Sequence, residues 1–450
     1  MNNSPFSITP ENRKINPIPT LSATKPDGSA DDNDRVEIGP TALAFDEWSA
    51  AGLTTPHLPT MREYRLKRLV SELIKRDLAG VLLFDPLNIR YATDTSNMQL
   101  WTMHNPSRYA LIFADGPAIL FDYHNCGHLH DDKRLPNGQL TVDEIRPAIA
   151  WAYFAAGERG PEQAVRWGND IASLMKQYGG GNQRLAVDIC EELGMAQLHK
   201  HGIETLYGMK YMEHARLIKS AEELQLMQWT IAVCQKGMQR MWDHCEPGIS
   251  ENELWAHLHF ENIRNGGEWI ETRILSAGER TNPWMRESSD ALIQTGDIVS
   301  FDTDLIGPYG YCADISRAWI AGHERPSATQ QEIYDIAMEH ITYNMGLLKD
   351  GLAFRDFVDQ SWKLPDRFAP NRYSCSVHGV GLADEYPCIY HPQDYDKVGY
   401  DGHFHENMVV CVESYTGGIG EKEGVKLEQQ VRITKTGVEL LSDFAIGSFN

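Results

Sequence analysis

Five acidic residues and one histidine stand in the last third of the chain: Asp302, Asp304, Asp314, His378, Glu413 and Glu428. Each falls in a segment that reads as a β-strand or a strand end. An oxygen-rich set with one imidazole suits a hard or borderline divalent metal, and carboxylates that can bridge suit two. A two-metal centre polarises a carbonyl or carboxylate, or activates a water.

The spacing within each segment bears on that chemistry. Asp302 and Asp304 are two apart in TGDIVSFDTD, so one continuous strand would point both to the same face. The loop GPYG follows, and Asp314 lies on the returning strand of the expected hairpin. Carboxylates stacked on one sheet face repel, so three in a hairpin need a cation or a solvated edge. The apolar Ile298 and Val299 ahead of them argue against a merely exposed acidic hairpin. Glu413 follows MVVCV, and Glu428 interrupts VKL and QQVRI. A glutamate among buried residues is costly unless it is paired or bound to metal. His378 lies in VHGVG, whose glycines let backbone approach closely. Alone it would read as a satisfied core histidine; beside five carboxylates it reads as a ligand.

Positioning these groups requires a sizeable core, and the composition supplies one. The 450-residue chain is 42% hydrophobic and 10% aromatic, enough for two or three domains. Its 41 basic and 63 acidic residues leave a formal charge of −22, which argues against nucleic acid and anionic membrane surfaces as partners. The eight cysteines form no CxxC pair and read as reduced thiols of a cytoplasmic protein. The opening MNNSPFSITPENRK lacks an apolar stretch, so no signal peptide is expected. No apolar run approaches a membrane span.

Residues 1–57 are rich in Pro, Ser, Asn and Asp and read as an N-terminal extension. Phe45, Trp48 and Leu53 give part of it enough apolar surface to dock as an arm. From residue 58 to about 210, strand, helix and hairpin patterns alternate as a smaller α/β domain. YRLKRLVSELIKR has helical spacing, AGVLLFDP is a buried strand, and ALIFADGPAILFD is a hairpin around Asp115-Gly116-Pro117. Residues 211–450 form the domain that holds the six candidate ligands. One long helix is predicted over Met212–Gln239, with Ser220 as an N-cap and Glu223 three residues on. A second covers ISENELWAHLHFENIR, and a third 327–349. Helices followed by hairpin-connected strands predict an α+β fold.

At this point the chain resembles the pita-bread family of methionine aminopeptidase, prolidase and creatinase. The order Asp, Asp, His, Glu, Glu carries the likeness, with ARLIKSAEELQLM, GDIVSFD, YGYCADISR, HGVG and VKLEQQVRIT. The resemblance implies a pita-bread catalytic domain and a creatinase-like N-terminal domain. It also implies that Asp302 binds one metal, that Asp314 and Glu428 bridge two, and that His378 and Glu413 hold the second.

Three positions depart from the peptidases of that family. The segment ERTNPWMRESSDALIQTGD lacks the histidine expected before the first ligand, and Trp284 is the nearest match. Asp384 stands in HGVGLADEYP where a second histidine is expected. An ionised aspartate cannot donate to an oxyanion. Asp304 adds a carboxylate where Gly or Thr is usual. A metal site with an added aspartate base suits removal of a proton α to a carboxylate. With a sulfonium at the β-carbon, elimination follows and a neutral thioether leaves.

The pattern resembles the dimethylsulfoniopropionate lyases of this fold (DddP type). That likeness implies Asp304 as a sixth ligand, Asp384 as the catalytic residue and Tyr373 in the substrate pocket. It implies iron, although these donors equally suit zinc or manganese, and a homodimer. A zwitterionic sulfonium is recognised by aromatic faces and nearby negative charge, and Trp101, Trp284 and Tyr373 are the candidates. In dimers of this family the N-terminal domain of one protomer lies near the other's active site, which favours Trp101 over plain packing. The alternative reading is a dinuclear Xaa-Pro dipeptidase or aminopeptidase, against which the missing histidines count. A binding module without activity would lose ligands, and all are present.

Overall fold

The structure, a computed structural model, describes residues 40, 42–130 and 132–446. Most of the expected N-terminal extension lies outside these residues. Its described end, Ala42–Ala50, is a helix whose Trp48 is 1% exposed and packs on Trp229 at 4.2 Å between ring centroids.

Residues 80–207 build a six-stranded mixed sheet. Its spatial order is Glu144–Pro147, Ala118–Asp122, Tyr109–Phe113, Gly80–Leu83, Arg184–Val187, Glu204–Tyr207. The predicted hairpin is present, with Tyr109 opposite Phe121 and Ile112 opposite Ala118. Gly80–Leu83, Tyr109–Phe113 and Ala118–Asp122 are buried on both faces, as their unbroken apolar runs require.

The helix expected over Met212–Gln239 is two helices, Gly208–Arg216 and Ala221–Asp243. The break is placed by Ser220, whose side chain accepts from Glu223 N while Glu223 reaches back to Ser220 N. That reciprocal cap starts a new helix rather than decorating an existing one. Ser250 caps Glu251–Arg264 and Ser327 caps Ala328–Leu347 in the same way.

The rest of the chain is antiparallel sheet against helix. A five-stranded sheet runs Asp384–Ile389, Val377–Val380, Val409–Thr416, Val425–Ile433, Val438–Leu440. Three-stranded sheets run Ser316–Ile320, Ile298–Asp302, Leu275–Ala277 and Cys312–Ala313, Leu305–Ile306, Trp269–Ile270. Val409–Thr416 is buried at every position, so each of its faces is covered. Ser414 bonds His340 and Thr416 donates to Ile333 O, which puts Val410, Val412, Ser414 and Thr416 on the face toward helix Ala328–Leu347. Cys411 and Glu413 therefore point the other way. On the paired strand, Lys426, Glu428 and Gln430 share that second face. This alternation is what carries the acidic groups inward. Among the described residues no helix is long and apolar enough to cross a membrane.

Candidate metal centre

Two sheets deliver the acidic groups to one point. Glu413 and Glu428 sit directly opposite each other on paired strands, and Asp302 faces Ser316 across another pair. Like charges at paired positions repel, so this register demands a cation. Ser316 Oγ bridges the sheets, lying 2.7 Å from Asp302 Oδ1 and 2.9 Å from Glu428 Oε2.

Asp304 arrives by a route the strand periodicity does not describe. The strand ends at Asp302, and Asp304 lies beyond it at φ +35°. That left-handed conformation is unfavourable for a residue other than glycine. Here Glu271 N donates to its carbonyl at 3.0 Å, and Thr272 Oγ1 to its carboxylate at 2.9 Å. Asp314 likewise falls between two short strands rather than on one, and its amide donates to Gln430 Oε1 at 3.1 Å. Thr303 ties the two stretches together, donating to Ala313 O and accepting from Ile315 N.

His378 enters from Val377–Val380. Its Nδ1 lies 3.0 Å from Gly379 O, so that nitrogen is placed to donate and Nε2 is left to coordinate. Nε2 is 3.1 Å from Glu413 Oε1, 3.2 Å from Glu428 Oε1 and 3.3 Å from Asp314 Oδ2. Gly379 permits this: a Cβ there would meet Tyr386 O at 2.4 Å.

Among the described residues, three groups have donor atoms that lie within 4.8 Å of one another: Asp302/Asp304/Asp314, Asp314/His378/Cys411/Glu428 and Asp302/Glu413/Glu428. The third surrounds the Lys426 ammonium, which is 3.1 Å from Asp302 Oδ2, 2.8 Å from Glu413 Oε2 and 2.7 Å from Glu428 Oε2. The first two share Asp314, as two positions bridged by one carboxylate would. Asp314 Oδ1 is buried without a hydrogen-bond partner, which suits an atom awaiting a cation. The donors thus fit two divalent ions.

The electrostatics say the same. Burial pushes the Asp302 carboxyl up to about 7 despite Lys426. Burial, then Asp302 and Asp384, push Asp304 well above the carboxylate range. Burial and Glu428 do so for Asp314. Glu428 goes the other way: burial opposes its charge, but Lys426 and His378 hold it well below that range. His378 is raised, because Glu413 and Asp384 outweigh the burial that disfavours its charged form. Among protein groups alone, the cluster is short of positive charge.

A cavity of about 820 Å³ opens onto this centre, lined among others by Tyr373, Cys375, His378, Asp384, Cys388 and Glu413. Asp384 begins the strand Asp384–Ile389, its side chain 62% exposed to the cavity side. Desolvation by the cleft raises its carboxyl, against the pull of His378 and with the push of Glu428 and Glu413. Tyr373 presents its ring face to Lys426 Nζ at 4.4 Å from the centroid. Trp284 does not line the cavity; it is 8% exposed and packs on Tyr415. Trp101 is 36% exposed on the short helix Gln99–His104, beside Tyr123 and Phe154, and does not line the cavity either.

Sequence reasoning passed over Lys426, Ser316 and Cys411. The signal for two of them was present. Lys426 and Cys411 each lie two residues before a glutamate of the cluster, and period two places them on its face.

Residues 225–435 match Metallopeptidase family M24. The fold resembles the Xaa-Pro dipeptidase from Bacillus anthracis, with a TM-score of 0.67 at 20% identity over 84% of this chain and 97% of that one. In sequence the chain is 43% identical to dimethylsulfoniopropionate lyase DddP of Roseovarius nubinhibens, over 96% of this chain and 97% of the relative. It is 40% identical to dimethylsulfoniopropionate lyase DddP of Roseobacter denitrificans, over 96% of each. The α+β architecture expected from the sequence is therefore the pita-bread fold of the M24 enzymes, and the chain belongs to the DddP family of dimethylsulfoniopropionate lyases.

Proposed function

We propose that this chain is a metal-dependent carbon–sulfur lyase that cleaves dimethylsulfoniopropionate into dimethyl sulfide, acrylate and a proton. The observation that carries this reading is the near full-length match to two lyases of that name. The donor cluster beneath the cavity supports the dependence on metal.

Two divalent ions held by Asp302, Asp304, Asp314, His378, Glu413 and Glu428 would draw charge from the substrate carboxylate and acidify its α-carbon. Asp384 takes the α-proton. It lines the cavity 3.6 Å from His378 Nδ1, which places a carboxylate base beside the metal ligands. The C–H electrons become the new carbon–carbon double bond, and the C–S pair leaves with sulfur as neutral dimethyl sulfide. Tyr373, on the cavity wall, offers a ring face to the sulfonium. Iron is the proposed metal. A homodimer is the proposed assembly, with Trp101 of one protomer reaching toward the other's cavity. Residues 58–210 and 211–450 are proposed as the creatinase-like and catalytic domains, in a cytoplasmic enzyme.

The test is to incubate metal-analysed protein with dimethylsulfoniopropionate and follow dimethyl sulfide in the headspace, beside an EDTA-treated control. Release that falls on stripping and returns with ferrous ion is expected. No release from loaded protein would overturn the substrate, and cleavage of Xaa-Pro dipeptides instead would return the chain to peptidase chemistry.

A further inference from the structure

We infer that Lys426 is an internal counter-cation that keeps the ligand carboxylates assembled when metal is absent and balances the extra carboxylate when it is present. Its ammonium is fully buried and reaches one oxygen each of Asp302, Glu413 and Glu428 within 3.1 Å. It also donates to Ser316 Oγ at 2.9 Å, the hydroxyl that bridges Asp302 and Glu428. Its backbone amide donates to Ser300 Oγ at 3.0 Å, so the strand that carries it is fastened to the strand of Asp302. The side chain thus joins the two sheets that must converge for the centre to exist.

The oxygens it takes leave others free for metal. Lys426 holds Oε2 of Glu413 and of Glu428, while Oε1 of each faces His378 Nε2. A carboxylate gripped at one oxygen turns the other to a defined place. Lys426 is therefore a positioning residue, and it fills the one donor group of the three that does not include Asp314. Charge bookkeeping agrees: two divalent ions offset four of the five ligand carboxylates, and the ammonium offsets the fifth. Without metal, five carboxylates would face each other at close range, and a fixed cation among them limits their repulsion.

This rests on the reading of the cluster as a metal centre, and the experiment separates the two. Wild type, Lys426→Met, Lys426→Arg and the double variant Lys426→Met/Asp304→Asn are stripped with chelator or loaded with ferrous ion. Their metal content and thermal unfolding are then measured. In Lys426→Met the stripped form is expected to lose at least about 5 °C more than the loaded form. Lys426→Arg should keep both midpoints near wild type, and Asp304→Asn should restore part of the stripped midpoint by replacing a buried, crowded carboxyl with an amide that cannot ionise. Equal losses in both states would mean that Lys426 only packs, and the inference fails; no loss in either state also overturns it. If Lys426→Met folds in neither state, the double variant decides: recovery of the stripped fold supports the inference, and none overturns it. If wild type itself binds no ferrous ion and its midpoint does not respond to it, the metal reading fails first.

Discussion

His378 Nδ1 lies 3.6 Å from Asp384 Oδ1, while the other ring nitrogen faces Glu413, Glu428 and Asp314. One imidazole thus stands between the donor cluster and the proposed base. Replacing Asp384 by alanine should leave metal content intact, because Asp384 belongs to none of the donor groups. Lyase turnover should fall by about 10²-fold or more, the usual worth of a positioned base. Turnover near wild type with metal retained would remove Asp384 from the mechanism.

Glu385, the next residue, belongs to a buried ion-pair network. Arg216 Nε lies 2.9 Å and Lys219 Nζ 2.8 Å from its carboxylate oxygens, and all three side chains are buried. These pairs fasten the strand that begins at Asp384 to the break between two helices. Glu385→Gln leaves buried Lys219 without its carboxylate, while Arg216 keeps Glu213, and should cost about 3 kcal/mol. Denaturant midpoints measure it. A loss under 1 kcal/mol would mean that the network relaxes around the amide.

A second buried network gathers around Asp122, at the end of strand Ala118–Asp122. Asp122 accepts from Arg108 Nε and His130 Nε2 at 2.8 Å each, and from Asn97 at 3.0 Å. Burial opposes its charge, but the His130 and Arg108 contacts win and hold its carboxyl down to about 2. The folded pKa lies below the unfolded value near 3.9, so this contribution is fully present above about pH 4 and lost as pH falls through 2. It amounts to about 2–3 kcal/mol. Asp122→Asn should be destabilised at pH 7, and its deficit against wild type should shrink between pH 4 and pH 2. A deficit that stays constant over that range would contradict the assignment.

Trp284 should matter for stability rather than for substrate. Its ring packs at a tilt against Tyr415, 5.9 Å between centroids, and its indole nitrogen is buried without a hydrogen-bond partner. Trp284→Phe is expected to change KM for dimethylsulfoniopropionate by less than about twofold, since the cavity does not touch it, while lowering the unfolding midpoint by a few degrees. A large rise in KM with an unchanged midpoint would place it in substrate binding after all.

The sequence by itself determined the donor types, the strands that carry Glu413 and Glu428, and the capping box at Ser220. These are local facts: period two sets which side chains share a face, and a serine three residues before Glu or Gln nucleates a helix start. What followed from long-range contacts was not legible. Asp304 reaches Asp302 and Asp314 through a left-handed turn held by Glu271 and Thr272, some thirty residues away in sequence. Strand alternation put Asp304 on the right face for the wrong reason. The tertiary structure also decided that Lys426, an unremarked basic residue in the closing strand, would lose all contact with water among three carboxylates. A lysine reads as surface until other elements cover it, and the strands Ile298–Asp302 and Ser316–Ile320 together with the Tyr373 ring do so here.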